Sequence, residues 1–346
     1  MNIVVAVLIL GIVVIIHELG HFLVAKANGI TVVEFSVGMG PRLASFMRKG
    51  TRYSLKLLPF GGSCLMLGED ETVEDEGAFH KKGIWARFST LFAGAFFNFI
   101  LAFVLALIIL GDVGVDKPYI SAINEGSPAA VAGLQKGDLV TEIDGAQIHM
   151  TRESVYHFYF YPRSDKPIHI TVLRDGEKKS FTVTPEYVDE QSGYLMGFNY
   201  NPYREKVSPL EVIKYSFYEL KLNVVNTIKS IGHLILGKIS VKEVSGPVGI
   251  VNVVGDIVDE SESYGLHTTL LSLAQFTILL SANLGVMNLL PIPALDGGRL
   301  VFILLEAIRR KPVPKEKEAV VHMVGMALLM LLMVFVMFND IRNIFT

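Results

Sequence analysis

This chain has almost no cysteine and no excess of basic residues. It has one cysteine, Cys64, and a formal net charge of −3 at pH 7. A single cysteine cannot form an internal disulfide, and there is no cysteine cluster for a structural zinc or iron–sulfur centre. Nucleic-acid-binding domains usually have an excess of lysine and arginine, and this chain has none, so we expect no nucleic-acid partner.

Charged residues are also few, at 19% of 346 residues, whereas hydrophobic residues make up 51%. The apolar residues concentrate in four blocks, near residues 1–25, 88–110, 268–290 and 320–338. A helix needs about 20 apolar residues to cross a bilayer, and each block is close to that length or longer. The sequence therefore predicts a polytopic α-helical membrane protein with four transmembrane helices.

A cleaved signal peptide is the alternative interpretation of the first block. The block has neither a basic start nor a clear small-residue cleavage site before Ala25. Cleavage near Ala25 would also discard two histidines. We therefore interpret the block as a retained membrane span.

Lysine and arginine are unevenly distributed between the loops. Nine lie between residues 26 and 87 and six between residues 299 and 317, whereas the chain after the fourth block has only Arg342. The positive-inside rule places both basic loops in the cytoplasm. With four spans, both termini and residues 112–267 are then expected outside the cytoplasm.

A soluble module is predicted between the second and third blocks, over residues 115–188. Short alternating runs predict strands, Ser127 and Pro128 predict a helix start, and Asp175-Gly176 predicts a hairpin turn. Together they predict a small β-barrel with two helices. Residues 205–240 carry an apolar helical stripe, interpreted either as an amphipathic helix at the membrane interface or as one packed on the module.

The loop after the first block, residues 30–70, contains three strand-like runs separated by glycine-containing turns. This pattern predicts a β-meander close to the membrane. An unpaired sheet edge cannot face lipid, because its backbone groups would have no hydrogen-bond partner there. The free edge is therefore expected to face protein, water or a bound peptide.

Three polar residues lie together inside the first apolar block, in the stretch HELGH. His17 and His21 are four residues apart, so a helix places both imidazoles on one face, with Glu18 beside the first. In zinc peptidases this spacing lets two histidines hold zinc while the glutamate takes a proton from water. The short pattern also occurs by chance in soluble helices, but ionisable groups at membrane depth are retained mostly for function. We therefore predict a catalytic zinc site.

A catalytic zinc ion held by two histidines needs a third protein ligand. Asp296 is the only ionisable residue between His267 and Arg299, and it follows two prolines that break the third block. We predict it as the third ligand; capping a short helix that starts at Gly297 is an alternative role, and the two are compatible. The remaining candidates are isolated histidines that we interpret as structural: His233, His267 and His322.

Three stretches together resemble the site-2 proteases, which are intramembrane zinc metalloproteases: HELGH in the first block, NLLPIPALDGG after the third, and EGSPAAVAGLQKGDLVTEIDG in the module. The closest resemblance is to the bacterial four-span branch with a single PDZ domain. FSVGMGPRL, LLPFGG and SGPVGI extend it over nearly the whole chain. It implies a bacterial plasma-membrane protein whose membrane domain comprises residues 1–110 and 241–346, interrupted by an extracytoplasmic PDZ domain.

The resemblance also implies a Zn²⁺ cofactor and roles for particular residues. His17, His21 and Asp296 would be the ligands, Glu18 the general base, and Asn288 a group that holds the substrate or the oxyanion. The meander would pair with the substrate as an added strand. The residues expected in that contact are Leu57, Pro59, Gly61 and Gly62. One departure is visible: the family pattern Gly-Pro-x-x-Asn appears here as Gly94 to Asn98 with Ala95 in the proline position.

The implied function is intramembrane proteolysis. A zinc metalloendopeptidase of this type cleaves within or near transmembrane segments of single-span proteins, such as anti-sigma factors or signal-peptide remnants, after a site-1 protease has acted first. Its partners are those substrates and the lipid bilayer. The PDZ domain would be a size filter or would bind released C-termini, with a folded spacer as the alternative. A non-enzymatic membrane adaptor that binds peptides through this domain is the alternative function.

Overall fold

The computed structural model describes residues 2–69, 71–189, 193–239 and 246–345. It divides into two compact units, one formed by Met1–Leu105 with Asn223–Thr346 and the other by Ala106–Leu222. The predicted start of the C-terminal membrane half, residue 241, lies outside the described residues.

The secondary structure is mainly helical. The helices are α1 (Asn2–Ala27), α2 (Ile84–Val113), α3 (Pro128–Ala132), α4 (Thr151–Phe160), α5 (Pro209–Ile235), α6 (Pro247–Glu262), α7 (Leu266–Leu289), α8 (Asp296–Arg309) and α9 (Lys315–Phe345), with a 3₁₀ turn at Phe79–Lys81. The strands are β1 (Val32–Arg48), β2 (Thr51–Met66), β3 (Ile120–Ile123), β4 (Leu139–Ile143), β5 (Ala146–Gln147), β6 (Ile168–Arg174), β7 (Glu177–Val183), β8 (Glu186–Asp189), β9 (Gly193–Leu195) and β10 (Phe198–Tyr200).

Four of the described helices are long and apolar enough to cross a membrane: α1, α2, α7 and α9. They coincide with the four predicted apolar blocks, so the prediction of four such helices is confirmed. The helices α2 and α9 extend beyond the apolar blocks at both ends. Hydropathy alone underestimates their length because helices continue into polar residues once the backbone ladder has formed.

The strands β1 and β2 form an antiparallel sheet next to α1 in which each strand bends back on itself. Residues 34–37 pair with residues 52–55 on one side and 62–65 on the other, while residues 42–48 pair with 51–56. The prediction of a simple β-meander over residues 30–70 is therefore wrong in strand order, because the first segment lies in the middle. Gly38 and Gly40 have φ of 85° and 86°, which allows the bend that redirects β1.

The helix α6 is an element that the sequence interpretation missed. Asp340 of α9 accepts hydrogen bonds from the backbone N–H groups of Gly246 (3.1 Å) and Gly249 (3.0 Å) at its start. These amides have no acceptor within the helix, and a carboxylate also matches the positive end of the helix dipole. The cap comes from a residue far along the chain, which is why local sequence gave no signal for it.

The unit Ala106–Leu222 has its own apolar core around Val140, Ile143, Ile170 and Val172. Its largest sheet has the strand order β5-β4-β6-β7. Two local predictions are confirmed. Ser127 accepts a hydrogen bond from Ala130 N–H at the start of α3, and β6 and β7 form a hairpin across Asp175-Gly176.

This unit is longer than the predicted module, residues 115–188. Strand β10 pairs with β3, which adds residues after 188 to the fold. The first half of α5 packs on the unit through Val212, Tyr215 and Leu222, and Glu219 forms a two-bond ion pair with Arg152 (2.5 and 3.0 Å). The interpretation of a helix packed on the module therefore describes the first half of α5 best.

Candidate metal centre

Two histidine side chains of α1 form one side of the candidate site. His17 and His21 are one helical turn apart and are each 6% exposed. Their Nε2 atoms are 3.1 Å apart, and their rings meet edge to face. Spacing of four residues on a helix therefore brings both imidazole nitrogens to one point inside the described protein.

Asp296 reaches the same point from the start of α8. Its Oδ2 lies 3.1 Å from His17 Nε2 and 3.3 Å from His21 Nε2. The chain between α7 and α8 contains Pro291 and Pro293, which prevent α7 from continuing and turn the backbone towards α1. The structure thus brings together the three residues that the sequence interpretation selected as ligands.

The geometry and chemistry of these three side chains fit zinc. Tetrahedral zinc with bonds of 2.0–2.1 Å separates its ligand atoms by about 3.3 Å, close to the distances observed between the three atoms. Asp296 Oδ2 is buried, and within the described part of the chain no well-aligned hydrogen bond reaches it. A buried carboxylate oxygen facing two imidazole nitrogens is the donor set of a catalytic zinc site with one open position.

The second ring nitrogen of His21 is held by the backbone of α2. His21 Nδ1 lies 2.8 Å from the carbonyl oxygen of Thr90. A carbonyl oxygen only accepts, so Nδ1 carries the proton and Nε2 keeps its lone pair. This contact selects the tautomer that can bind a metal.

The same face of α2 approaches both histidine rings. A Cβ atom added to Gly94 would clash with His21 Nε2 and lie 2.6 Å from His17 Cε1, so only glycine leaves room for the rings. One turn later, the Asn98 amide lies 3.4 Å from His17 Nδ1, and its Oδ1 is buried without a partner in the described structure. When the side-chain amide oxygen and nitrogen of Asn98 are exchanged, Oδ1 accepts a hydrogen bond from His17 Nδ1–H, as the Thr90 carbonyl does from His21.

Ala95 stands where the family pattern has proline. It is fully buried, and α2 continues through this position without interruption.

Glu18 and Asn288 lie beside the three-residue cluster. Glu18 lines a cavity of about 220 Å³ together with both histidines and Asp296. Asn288, in the last turn of α7, places its side-chain amide 3.5 Å from His17 Nε2. Both residues are therefore within reach of a group bound between the histidines and the cavity.

The predicted substrate contacts of the β1–β2 sheet are only partly near this cavity. The edge segment of β2 contributes Ser63, Cys64 and Met66 to the cavity lining, and Gly62 packs beside Glu18. Gly61 is next to this segment. Leu57 and Pro59 are exposed and are absent from the described cavity lining; the Pro59 carbonyl packs near Gly11, earlier on α1.

Cys64 and the Glu69–Arg299 ion pair were not anticipated as neighbours of the site. Burial, with the nearby Glu18 and Glu69 carboxylates, raises the pKa of the Cys64 thiol and so favours its protonated form. Arg299 Nη1 lies 2.5 Å from Glu69 Oε1, and both residues line the cavity. This ion pair joins the segment after β2 to α8, one turn from Asp296.

Comparison with known proteins gives matches along nearly the full chain. Residues 5–332 match Peptidase family M50. A Clostridium acetobutylicum protein is 36% identical over 340 residues, covering 98% of this chain and 97% of that protein. Zinc metalloprotease RasP of Bacillus licheniformis is 34% identical with full coverage of both chains. Regulator of sigma-W protease RasP of Bacillus subtilis is 32% identical and covers 98% of each.

Among solved structures, a PDZ domain of a Listeria innocua protein aligns with 27% of this chain and all of its own, at 21% identity. The TM-score of this alignment is 0.23.

Proposed function

This chain belongs to peptidase family M50, and from that premise we propose that it cleaves peptide bonds within or next to transmembrane segments of single-span membrane proteins. It is a zinc metalloprotease with a Zn²⁺ cofactor, and it is a membrane protein with four apolar helices. The proposed zinc ligands are His17, His21 and Asp296. The observation that carries the proposal is the convergence of three buried donor atoms within 3.3 Å, two of them on α1, a helix apolar enough to cross a membrane.

Glu18 is the proposed general base. Bound zinc supplies Lewis acidity, which polarises a peptide carbonyl and makes water more acidic. Glu18 takes a proton from the attacking water as the new C–O bond forms at the carbonyl carbon. The Asn288 amide N–H donates to the oxygen that becomes negative. Glu18 then delivers the proton to the amine nitrogen as the C–N bond breaks.

The test of this assignment is Glu18→Gln compared with His17→Ala. We expect Glu18→Gln to hold about one zinc per chain and to lose roughly 10²–10⁴-fold in cleavage rate, since only proton transfer is removed. His17→Ala should lose both zinc and cleavage. Zinc content is measured on detergent-purified full-length protein, and cleavage on a single-span substrate. Full cleavage by Glu18→Gln would overturn the role of Glu18, and a folded parent protein without zinc affinity would favour the adaptor.

The edge of β2 is the proposed site of substrate strand addition. A transmembrane helix keeps its carbonyls in internal hydrogen bonds, so it must unwind before attack, and an added strand satisfies the freed backbone groups. The position of residues 63, 64 and 66 in the cavity lining supports pairing along this segment. We retain Gly61 and Gly62 in the proposed contact. Leu57 and Pro59 are exposed and lie outside the lining of the described cavity, so they would contact the substrate further from the metal centre.

Anti-sigma factors and signal-peptide remnants are the proposed substrate classes, reached after a site-1 protease has shortened them. The support is the name of the Bacillus subtilis relative, a regulator of sigma-W protease. Incubating the purified protein with a full-length and a pre-shortened single-span substrate tests this order. We expect cleavage of the shortened form alone.

We also propose that the basic loops at residues 26–87 and 299–317 are cytoplasmic and that residues 112–267 and both termini are outside. The support is the distribution of lysine and arginine. In a Cys64→Ser background, single cysteines at Ser263 and Lys311, both exposed, can be labelled with a membrane-impermeant maleimide on intact cells. We expect label at position 263 and none at 311; the reverse result would invert the topology.

Peptide binding by the PDZ-type domain is a second proposed function, carried by a groove in the unit Ala106–Leu222. The groove has a volume of about 330 Å³ and lies between α4 and β10, with Phe158, Arg163 and Tyr200 among its lining residues. Strand β10 lies at an edge of its sheet, where a peptide strand can pair, and Arg163 offers a positive charge to a C-terminal carboxylate. We expect the full protein to bind a free-acid peptide more tightly than its amide, and Arg163→Gln to remove the difference.

A further inference from the structure

The backbone between α7 and α8 carries a conformation that needs support. Ala294 has φ of 79°, in a region that residues other than glycine rarely adopt. It lies two residues before Asp296 and lines the same cavity as the candidate ligands. The position of the Asp296 carboxylate therefore depends on a turn that its own sequence does not favour.

The helix α9 contacts this turn at two positions. Ala294 N–H donates to His322 Nδ1 at 2.8 Å. Three residues later, a Cβ added to Gly325 would clash with the Pro293 side chain and lie 2.6 Å from the Pro293 carbonyl oxygen. Residues three apart share a helix face, so His322 and Gly325 both contact the Pro293-Ala294 turn from the same side of α9.

His322 is unusual for the helix on which it lies. In the most apolar 18-residue stretch of α9, only 6% of the residues are buried. The His322 side chain, in contrast, is only 15% exposed. Since its Nδ1 accepts, the proton of a neutral ring lies on Nε2, 3.8 Å from Glu318 Oε1. A polar ring on an apolar helix, used as an acceptor for a strained turn, points to a role beyond packing.

We propose that His322 is a positioning residue for the metal centre. By accepting from Ala294 N–H, it fixes the turn that presents the Asp296 carboxylate to His17 and His21. This inference rests on the proposed function, in which Asp296 is a zinc ligand. It predicts that the acceptor at Nδ1, rather than the size of the ring, controls zinc affinity.

Three substitutions separate the acceptor from the shape of the ring. The Oδ1 of asparagine reaches the position of Nδ1, whereas the oxygen of glutamine lies one bond further, near Nε2. We expect His322→Leu and His322→Gln to weaken zinc binding about tenfold to hundredfold and His322→Asn to bind zinc like the parent protein. Zinc affinity is measured by chelator competition on the full-length protein in detergent. Met323→Leu, on the exposed side of α9, is the matched control and should change nothing.

A second variant keeps the test valid if His322→Leu is unstable. Glycine adopts positive φ without strain, so Ala294→Gly should restore part of the zinc affinity when combined with His322→Leu. Equal zinc affinity of the Leu, Gln and parent proteins would overturn the proposal, as would equal losses in the Asn and Leu variants. The variant Asp296→Ala separates a failure of this inference from a failure of the proposed function. Unchanged zinc affinity in Asp296→Ala would overturn the assignment of Asp296 as a zinc ligand.

Discussion

At the scale of single residues, the two histidines differ in how the nitrogen away from the cluster is held. His21 Nδ1 faces a backbone carbonyl, which no substitution removes, whereas His17 Nδ1 faces the side chain of Asn98. Both partners are on α2, two turns apart. His17 is therefore the histidine whose tautomer can be changed by a substitution outside the cluster.

Replacing Asn98 tests this difference. Asn98→Leu removes the acceptor while keeping a similar volume, so we expect zinc affinity to fall about tenfold to hundredfold. Asn98→Asp retains an acceptor and should bind zinc much more tightly than the Leu variant. Chelator competition measures both, with the melting temperature of the zinc-free proteins as the folding control. Parent-like zinc affinity in Asn98→Leu would contradict a role for this contact.

Gly94 is the residue that lets α2 approach the rings. Since an added Cβ would overlap His21 Nε2, Gly94→Ala should displace the imidazole and lower the zinc content well below one per chain. Gly111→Ala is a matched control on the same helix, because its Cβ would meet no described atom within 4 Å. Zinc content per chain is measured on both purified variants. Equal zinc content in Gly94→Ala and Gly111→Ala would show that α2 shifts to accommodate alanine.

The sequence was most informative about residues that belong to local patterns. The spacing of His17 and His21 and the isolation of Asp296 identified a cluster that the structure brings together. Asn98 appeared only as the last residue of a family pattern, and His322 only as an isolated histidine. Their contacts depend on how α2 and α9 lie against α1 and the α7–α8 turn, which no spacing within one segment specifies.

At the scale of elements, the length and apolarity of the four blocks were enough to predict the four helices that could cross a membrane. Strand order in the β1–β2 sheet was not predictable, because pairing depends on register and bends rather than on the alternation of side chains. The helix α6 was missed because Gly246, unlike Ser127, has no side-chain oxygen that could cap the helix in front of its proline. Its start is stabilised instead by a carboxylate from another helix.

Removing that carboxylate should loosen α6. Asp340→Ala leaves two backbone amides without their acceptor, so we expect a loss of about 1 kcal/mol in the free energy of unfolding. Asp340→Asn should lose less, because its amide oxygen still accepts. Glu260→Ala, at an exposed position on α6, is the control. Thermal unfolding in detergent measures all three, and an unchanged Asp340→Ala protein would argue against the cap.

At the scale of the whole molecule, the proposed zinc ligands all lie in one of the two compact units. Zinc should therefore stabilise that unit and leave Ala106–Leu222 unaffected. At free zinc 100-fold above the dissociation constant, the expected stabilisation is about 2.7 kcal/mol. Amide hydrogen exchange, measured with and without a zinc chelator, compares the stabilisation of the two units. Equal changes in the amides around Val140 and in those around Leu91 would contradict it.

The division of the metal centre between α1 and α8 has a consequence for biosynthesis. The ribosome makes the two histidines and the base before the unit Ala106–Leu222, whereas Asp296 follows only after that whole unit has been made. On the proposed ligand set, a nascent or prematurely terminated chain has an incomplete metal site. Proteolytic activity then begins only once Asp296 has been made, which protects other newly inserted membrane proteins from unfinished copies of the enzyme.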